Sequence, residues 1–167
     1  MKEKFKQAYM TTANVFANLS TARRAKVGAI IVKDDRIISI GYNGMPSGWS
    51  NECEDLLESY DERVVNNPLD RRLWEYNSET KKYTALKTKP EVLHAEANAL
   101  MKVAQSSDSS KGATLFCTHM PCIDCAKLIH QSGIAVVYYQ QDYTAAKGSG
   151  KEFLTKSNIT VAQITGE

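Results

Sequence analysis

The chain has 167 residues, 43% of them apolar, with 21 Lys plus Arg against 19 Asp plus Glu. That length suffices for one domain with a sizeable core, and the near balance of charge argues against a protein that tracks a polyanion, which ordinarily carries a strongly basic surface. No apolar run is long enough to span a membrane, and the N-terminus lacks a signal-peptide pattern, so the expectation is a cytoplasmic chain forming a single domain over 1–167. Three of the four cysteines, Cys117, Cys122 and Cys125, lie within nine residues, a spacing that suits metal chemistry in a reducing compartment better than a disulfide framework.

Residues 2 to about 19 fit an amphipathic helix, with Phe5, Ala8, Tyr9, Phe16 and Leu19 near a 3.6 period. Its lysines read as a solvated face. The basic stretch Ala22-Arg23-Arg24-Ala25-Lys26 then leads into Val27–Val32, a buried strand by length and β-branching. Lys33-Asp34-Asp35 is the turn and Arg36 to Gly41 the returning strand. Taken singly, the cations of the basic stretch serve solubility. Three of them on a loop entering a central strand also suit a phosphate. The loop Gly41 to Gly48 holds three glycines and Pro46, which marks a tight turn. Asn43 there reads as an ordinary turn residue before glycine, although its amide can both donate and accept at a sugar hydroxyl or a base edge.

Residues 50 to 90 form a polar insertion carrying Cys53, several acids and Lys81-Lys82. Trp74 and Tyr76 point to one packed element, a helix over about 68–77, and Pro90 closes the segment. From His94 onward, Ala97, Leu100, Met101 and Ala104 make a helical stripe. A strand over Ala113–Thr118, a helix from Cys122, a strand over Ile134–Tyr139, a helix over 149–157 and a strand over Ile159–Ile164 complete the chain. Strands alternating with helices predict a three-layer α/β/α sandwich around a mixed sheet of about five strands. Cys53 reads as an isolated thiol, Cys117 as core, His119 as a surface residue with the pocket mouth as its alternative place, and His130 as structural.

The chemistry concentrates in His94-Ala95-Glu96 and Pro121-Cys122-Ile123-Asp124-Cys125. His94, Cys122 and Cys125 supply three zinc ligands, and three protein ligands leave the fourth tetrahedral position to water, as in catalytic rather than structural sites. Zinc lowers the pKa of bound water from 15.7 to about 7. Glu96, two residues from a ligand but outside the set, is free to move protons. Cys122 and Cys125, three apart, share a face where a helix begins, and Leu128 and Ile129 continue that face into the core. Pro121 suits a helix start, and the positive helix end favours thiolate. A structural zinc or a redox pair would use Cys-x-x-Cys as well, but neither needs the proline or the glutamate.

The pattern His-x-Glu…Pro-Cys-x-x-Cys is that of zinc nucleobase deaminases, and the chain resembles the cytidine deaminase superfamily. Val27-Gly28-Ala29, Arg36-Ile37-Ile38-x-x-Gly41-Tyr42-Asn43-Gly44-x-Pro46-x-Gly48, Glu96-Ala97-Asn98-Ala99 and Cys125-Ala126-Lys127-x-Ile129-x-Gln131-x-Gly133-Ile134, together with the long segment before His94, narrow the resemblance to the deoxycytidylate (dCMP) deaminases. It implies a cytidine deaminase-like fold, one catalytic Zn²⁺ on His94, Cys122 and Cys125, and Glu96 as proton shuttle. Water activated there adds to C4 of the cytosine ring, and ammonia leaves to give dUMP for thymidylate synthesis. The resemblance further implies Asn43 on the deoxyribose 3′-hydroxyl, against the turn reading above, the Ala95 N–H on the base, Tyr143 on the substrate, and Arg24 or Lys26 on the 5′-phosphate. It also implies a homo-hexamer activated by dCTP and inhibited by dTTP, with Mg²⁺ accompanying the triphosphate and Gly44, Met45, Ser47 and Gly48 in the regulatory site.

Some viral members hold a second, structural zinc through an early cysteine. Here Thr21 to Ala25 contains no Cys and the insertion no His before His94, so one zinc per chain is expected. Two other readings stay open. One is a deaminase of another cytosine or adenine substrate, a nucleoside or RNA, which for RNA or single-stranded DNA calls for an aromatic and basic track. The other is a non-catalytic zinc or nucleotide-binding module, for which Glu96 would be dispensable.

Overall fold

The computed structural model describes residues 1–67, 72–143 and 150–165. Helix α1 (Glu3–Ala17) precedes a hairpin of β1 (Gly28–Lys33) and β2 (Arg36–Tyr42). The insertion carries β3 (Glu54–Ser59), α2 (Glu62–Val65), β4 (Glu75–Asn77) and β5 (Lys82–Thr88). Then follow α3 (Ala95–Ala104), β6 (Thr114–His119), α4 (Ile123–Gln131), β7 (Val136–Gln141), α5 (Gly150–Lys156) and β8 (Thr160–Gln163).

Five strands make the main sheet in the order β2-β1-β6-β7-β8. β1 pairs antiparallel with β2 and β6, whereas β6–β7 and β7–β8 are parallel, so the sheet is mixed as expected. The hairpin turn holds Asp34 and Asp35 at positive φ (50° and 57°), the twist-matched geometry of a two-residue β-turn. β1 is buried on both faces, and alternation divides its side chains. Ile30 and Val32 join Met10, Ala13 and Phe116 under α1, while Ala29 and Ile31 join Ala95, Ala99, Leu115, Ala126, Ile129 and Val137 under α3 and α4. α1 therefore covers one face and α3, α4 and α5 the other, which gives the three layers.

Two glycines let helices of the second layer lie directly against neighbouring main chain. A Cβ on Gly41 would collide with the carbonyl oxygen of Ala95, and one on Gly150 with that of Pro121. Both contacts fall at the starts of the segments carrying the metal-type ligands.

The insertion departs from expectation. It forms a three-stranded sheet in the order β3-β5-β4. Residues 68–71 of the expected 68–77 helix lie outside the described residues, and Glu75–Asn77 is a strand paired with β5, with Tyr76 opposite Tyr83 and their rings 4.9 Å apart. A cross-strand aromatic pair favours strand over helix there. The stripe on α3 is also rotated: Met101 and Ala104 are exposed, and the buried face runs through Ala95, Glu96, Ala99, Leu100 and Val103. Ile129 anchors α4 in the core, whereas Leu128 is exposed. These helices pack on a sheet and on each other, so the buried arc is set by where their neighbours lie. No described helix is long and apolar enough to cross a membrane.

Candidate active site

Each chemically loaded residue sits at a helix start on the sheet's second face. His94 is the N-cap of α3, with extended backbone, and Ala95 and Glu96 open the helix. The first amides of a helix have no acceptor within it, so the Ala95 N–H is open to a ligand. Asn98 Nδ2 donates to Tyr42 O (2.8 Å) and Ser39 Oγ to Ala99 O (2.7 Å), which fastens α3 to β2. Cys122 is the N-cap of α4, and its sulfur accepts from the Cys125 N–H at 3.5 Å.

The three expected ligands come together. His94 Nδ1 lies 3.6 Å from Cys122 Sγ and 3.4 Å from Cys125 Sγ. Tetrahedral bonds of about 2.0–2.1 Å to nitrogen and about 2.3 Å to sulfur place N and S about 3.5 Å apart. The donor set and its spacing therefore fit zinc through Nδ1 and two thiolates, and this is the one cluster of three such donors among the described residues. Without metal, the Cys122 thiol is drawn down to about 4, chiefly by a hydrogen bond from Cys125 and also by the bond to His94. Sharing that proton and burial push the Cys125 thiol up, and the bond to Cys122 raises His94.

Glu96 is buried at the floor, and burial raises its pKa. Above it opens a cavity of about 500 Å³ lined by His94, Ala95, Glu96, Cys122, Asn43, Arg24, Tyr143 and residues of the insertion. Arg23 is also on the lining, and Lys26 is not. Asn43 braces the basic loop, with Oδ1 accepting from the Val27 N–H and Nδ2 donating to Ala25 O, both at 2.8 Å. The amide keeps a second N–H and a second lone pair for a ligand, so the turn role and a ligand role are compatible.

His119 corrects the surface reading: it lines the cavity, and burial lowers its pKa. Its Nδ1 is 3.0 Å from the hydroxyl of Thr118, which accepts from the Gly28 N–H at 3.1 Å. It is the last residue of β6, on the same face as Leu115 and Cys117, so strand alternation turns it toward the layer of α3 and α4. Sequence reasoning also missed Glu54, Leu56, Thr84, Leu86 and Thr88 on the cavity wall. Scattered through a polar insertion, they carry no local signal. Cys117 is core, and the His130 ring meets Phe153 edge-on. Cys53 is buried beside Ala22, Val92 and Met45, its sulfur 3.4 Å from the Thr21 hydroxyl. A second cavity of about 410 Å³ is lined by Met45, Trp49, Asp55 and Lys89 among others. Gly44, Ser47 and Gly48 belong to the same loop without lining it.

The profile of the cytidine and deoxycytidylate deaminase zinc-binding region matches residues 3–141. The chain belongs to this family. Within the family it is similar to a cyanophage S-TIM5 dCMP deaminase solved in complex with dCMP and dUMP, at 39% identity and a TM-score of 0.75, covering 98% of this chain and 99% of that one. It is 34% identical to the deoxycytidylate deaminase of phage T4 over 83% of this chain and 79% of the relative. The human deoxycytidylate deaminase is 36% identical over 80% of this chain and 63% of its own length. The matched residues 3–141 include His94, Cys122 and Cys125.

Proposed function

We propose that this protein is a zinc-dependent dCMP deaminase that converts dCMP and water to dUMP and ammonia. The observation that carries the reading is one cavity lined by His94, Cys122 and Glu96, with Cys125 Sγ 3.4 Å from His94 Nδ1 and with Arg23 and Arg24 on the same lining. Cytosine presents C4 on the side of the ring opposite the sugar. With C4 at the floor, the sugar and its 5′-phosphate extend outward along the wall.

His94, Cys122 and Cys125 would hold the zinc, which would supply a water nucleophile at neutral pH by lowering its pKa to about 7. The chain's residues do the rest. Glu96 takes a proton from the attacking water and delivers it to N3 of the ring, then takes the proton of the new C4 hydroxyl and passes it to the departing amine as the C4 carbonyl forms; burial raises its pKa, which favours the protonated form that does the giving. The Ala95 N–H holds the base, Asn43 the 3′-hydroxyl, Tyr143 the sugar or phosphate side, and Arg24, rather than Lys26, the phosphate.

Regulation by dCTP and dTTP with Mg²⁺ in a homo-hexamer belongs to the same proposal. Its support is that Met45 lines the second cavity and that Gly44 exchanges two main-chain hydrogen bonds with Leu93, at 3.1 and 2.9 Å, next to His94. An effector that binds one conformation of this loop better than the other would bias the metal site.

The test is deamination of cytidine, deoxycytidine, CMP and dCMP, each with and without dCTP plus Mg²⁺, alongside a zinc assay and sedimentation. Turnover of dCMP above the others, raised by dCTP, with one zinc per chain, is expected. Turnover only of nucleosides, or of RNA, would move the protein to another branch, and no turnover with intact zinc would favour a binding module.

A further inference from the structure

The insertion sheet forms one wall of the cavity, and one register pair in it grips the basic loop. Glu54 on β3 is buried, and its carboxylate accepts from the Arg23 N–H at 3.0 and 3.2 Å and from the Arg24 N–H at 3.2 Å. Thr88, directly opposite Glu54 on β5, accepts from Arg24 Nη1 at 3.0 Å. Arg24 is thus held at both ends by neighbours across two strands, its main chain by Glu54 and its guanidinium by Thr88.

The chemistry of this grip is selective. A carboxylate beside an arginine commonly pairs with the guanidinium in a two-pronged bond. Glu54 instead spends its oxygens on main-chain amides, which satisfies a buried charge and leaves the guanidinium of Arg24 to another anion. A guanidinium has five N–H donors in a rigid fork. Thr88 takes one and so orients the remainder. Both residues also line the cavity, so the grip and the ligand share one surface.

We propose that Glu54 and Thr88 are positioning residues for recognition of the substrate's 5′-phosphate, acting through Arg23 and Arg24, and that the insertion thereby sets the preference for nucleotide over nucleoside. The inference rests on the dCMP reading above. It assigns the polar insertion a part in substrate selection.

The experiment measures, on the zinc-loaded full-length protein, kcat for dCMP and the competitive inhibition constants of dUMP and deoxyuridine. Variants are Thr88→Val, Glu54→Ala and Glu54→Gln, with Arg24→Ala as reference. Loss of a hydrogen bond to or around a charged group predicts that the dUMP-to-deoxyuridine affinity ratio falls about tenfold in Glu54→Ala and Thr88→Val, as in Arg24→Ala, while kcat changes far less. Glu54→Gln keeps one acceptor oxygen and recovers part of the ratio. Equal weakening of both inhibitors, or tighter dUMP binding by Glu54→Gln, would overturn the proposal. Thr88→Val decides the matter if Glu54→Ala does not fold. Failure of the wild-type protein to deaminate dCMP would instead sink the reading beneath it, whereas an active wild type with an unchanged ratio in every Glu54 and Thr88 variant sinks this inference alone.

Discussion

At the scale of single residues, the proposed mechanism separates catalysis, at Glu96, from metal binding. The glutamate occupies the second position of α3, buried beside the triad yet outside it. Glu96→Gln keeps the shape and removes the proton carrier, so turnover of dCMP is expected to fall by roughly 10² to 10⁴ with zinc content and dUMP binding retained. A near wild-type rate would refute the assigned role. The ligands behave differently. Zinc needs both sulfurs as thiolates and His94 neutral, so every proton bound on acidification competes with the metal. The sign follows: zinc affinity falls as pH falls, and activity falls with it. A chromophoric chelator read in parallel with the rate checks this, and activity outlasting zinc release would contradict it.

Elements hold these residues at fixed places because β2 and α3 approach without an intervening side chain. Gly41→Ala drives a methyl into the Ala95 carbonyl, the residue between His94 and Glu96. Overpacking of this kind costs on the order of 1–3 kcal/mol. The expected outcome is a lower Tm together with weakened zinc retention, seen by thermal unfolding and metal analysis of the same sample. A drop in Tm with undiminished zinc affinity would show that α3 moves as a unit without disturbing His94. The same logic applies to Gly150, which seats α5 on Pro121 next to Cys122. One contact from the main sheet and one from α5 thus seat the two ligand-bearing segments, each made by residues distant in sequence.

On the whole-molecule scale, a zinc ion held by His94, Cys122 and Cys125 would join α3 to α4. A ligand that binds only the folded state stabilises it by mass action. Stripping zinc with a chelator is therefore expected to lower Tm, and readdition of zinc to restore it. A Tm indifferent to zinc would mean that the two helices are held fully by the core. The net charge of +2 spread over 167 residues leaves only local cationic surface, and the Arg23–Arg24 corner matches a small anion better than a polymer.

The residue types by themselves picked out the His94, Cys122 and Cys125 cluster that the fold brings together. His94, Glu96, Cys122 and Cys125 stand at spacings that put ligands at helix starts, and the alternation of strand and helix sufficed for three layers and a mixed five-stranded sheet. These are local signals, because ligand spacing and hydrophobic period are properties of neighbouring residues. The tertiary structure alone decided what surrounds that centre. β3, β4 and β5 are rich in acids and lysines, with Leu56 exposed, and their strand character comes from cross-strand partners such as Tyr76 and Tyr83, which no single segment displays. His119 became a cavity residue, Met101 a surface one, and Glu54 an acceptor for amides thirty residues away for the same reason. A side chain's environment is set by which elements are brought against it, and that depends on contacts far apart in the chain.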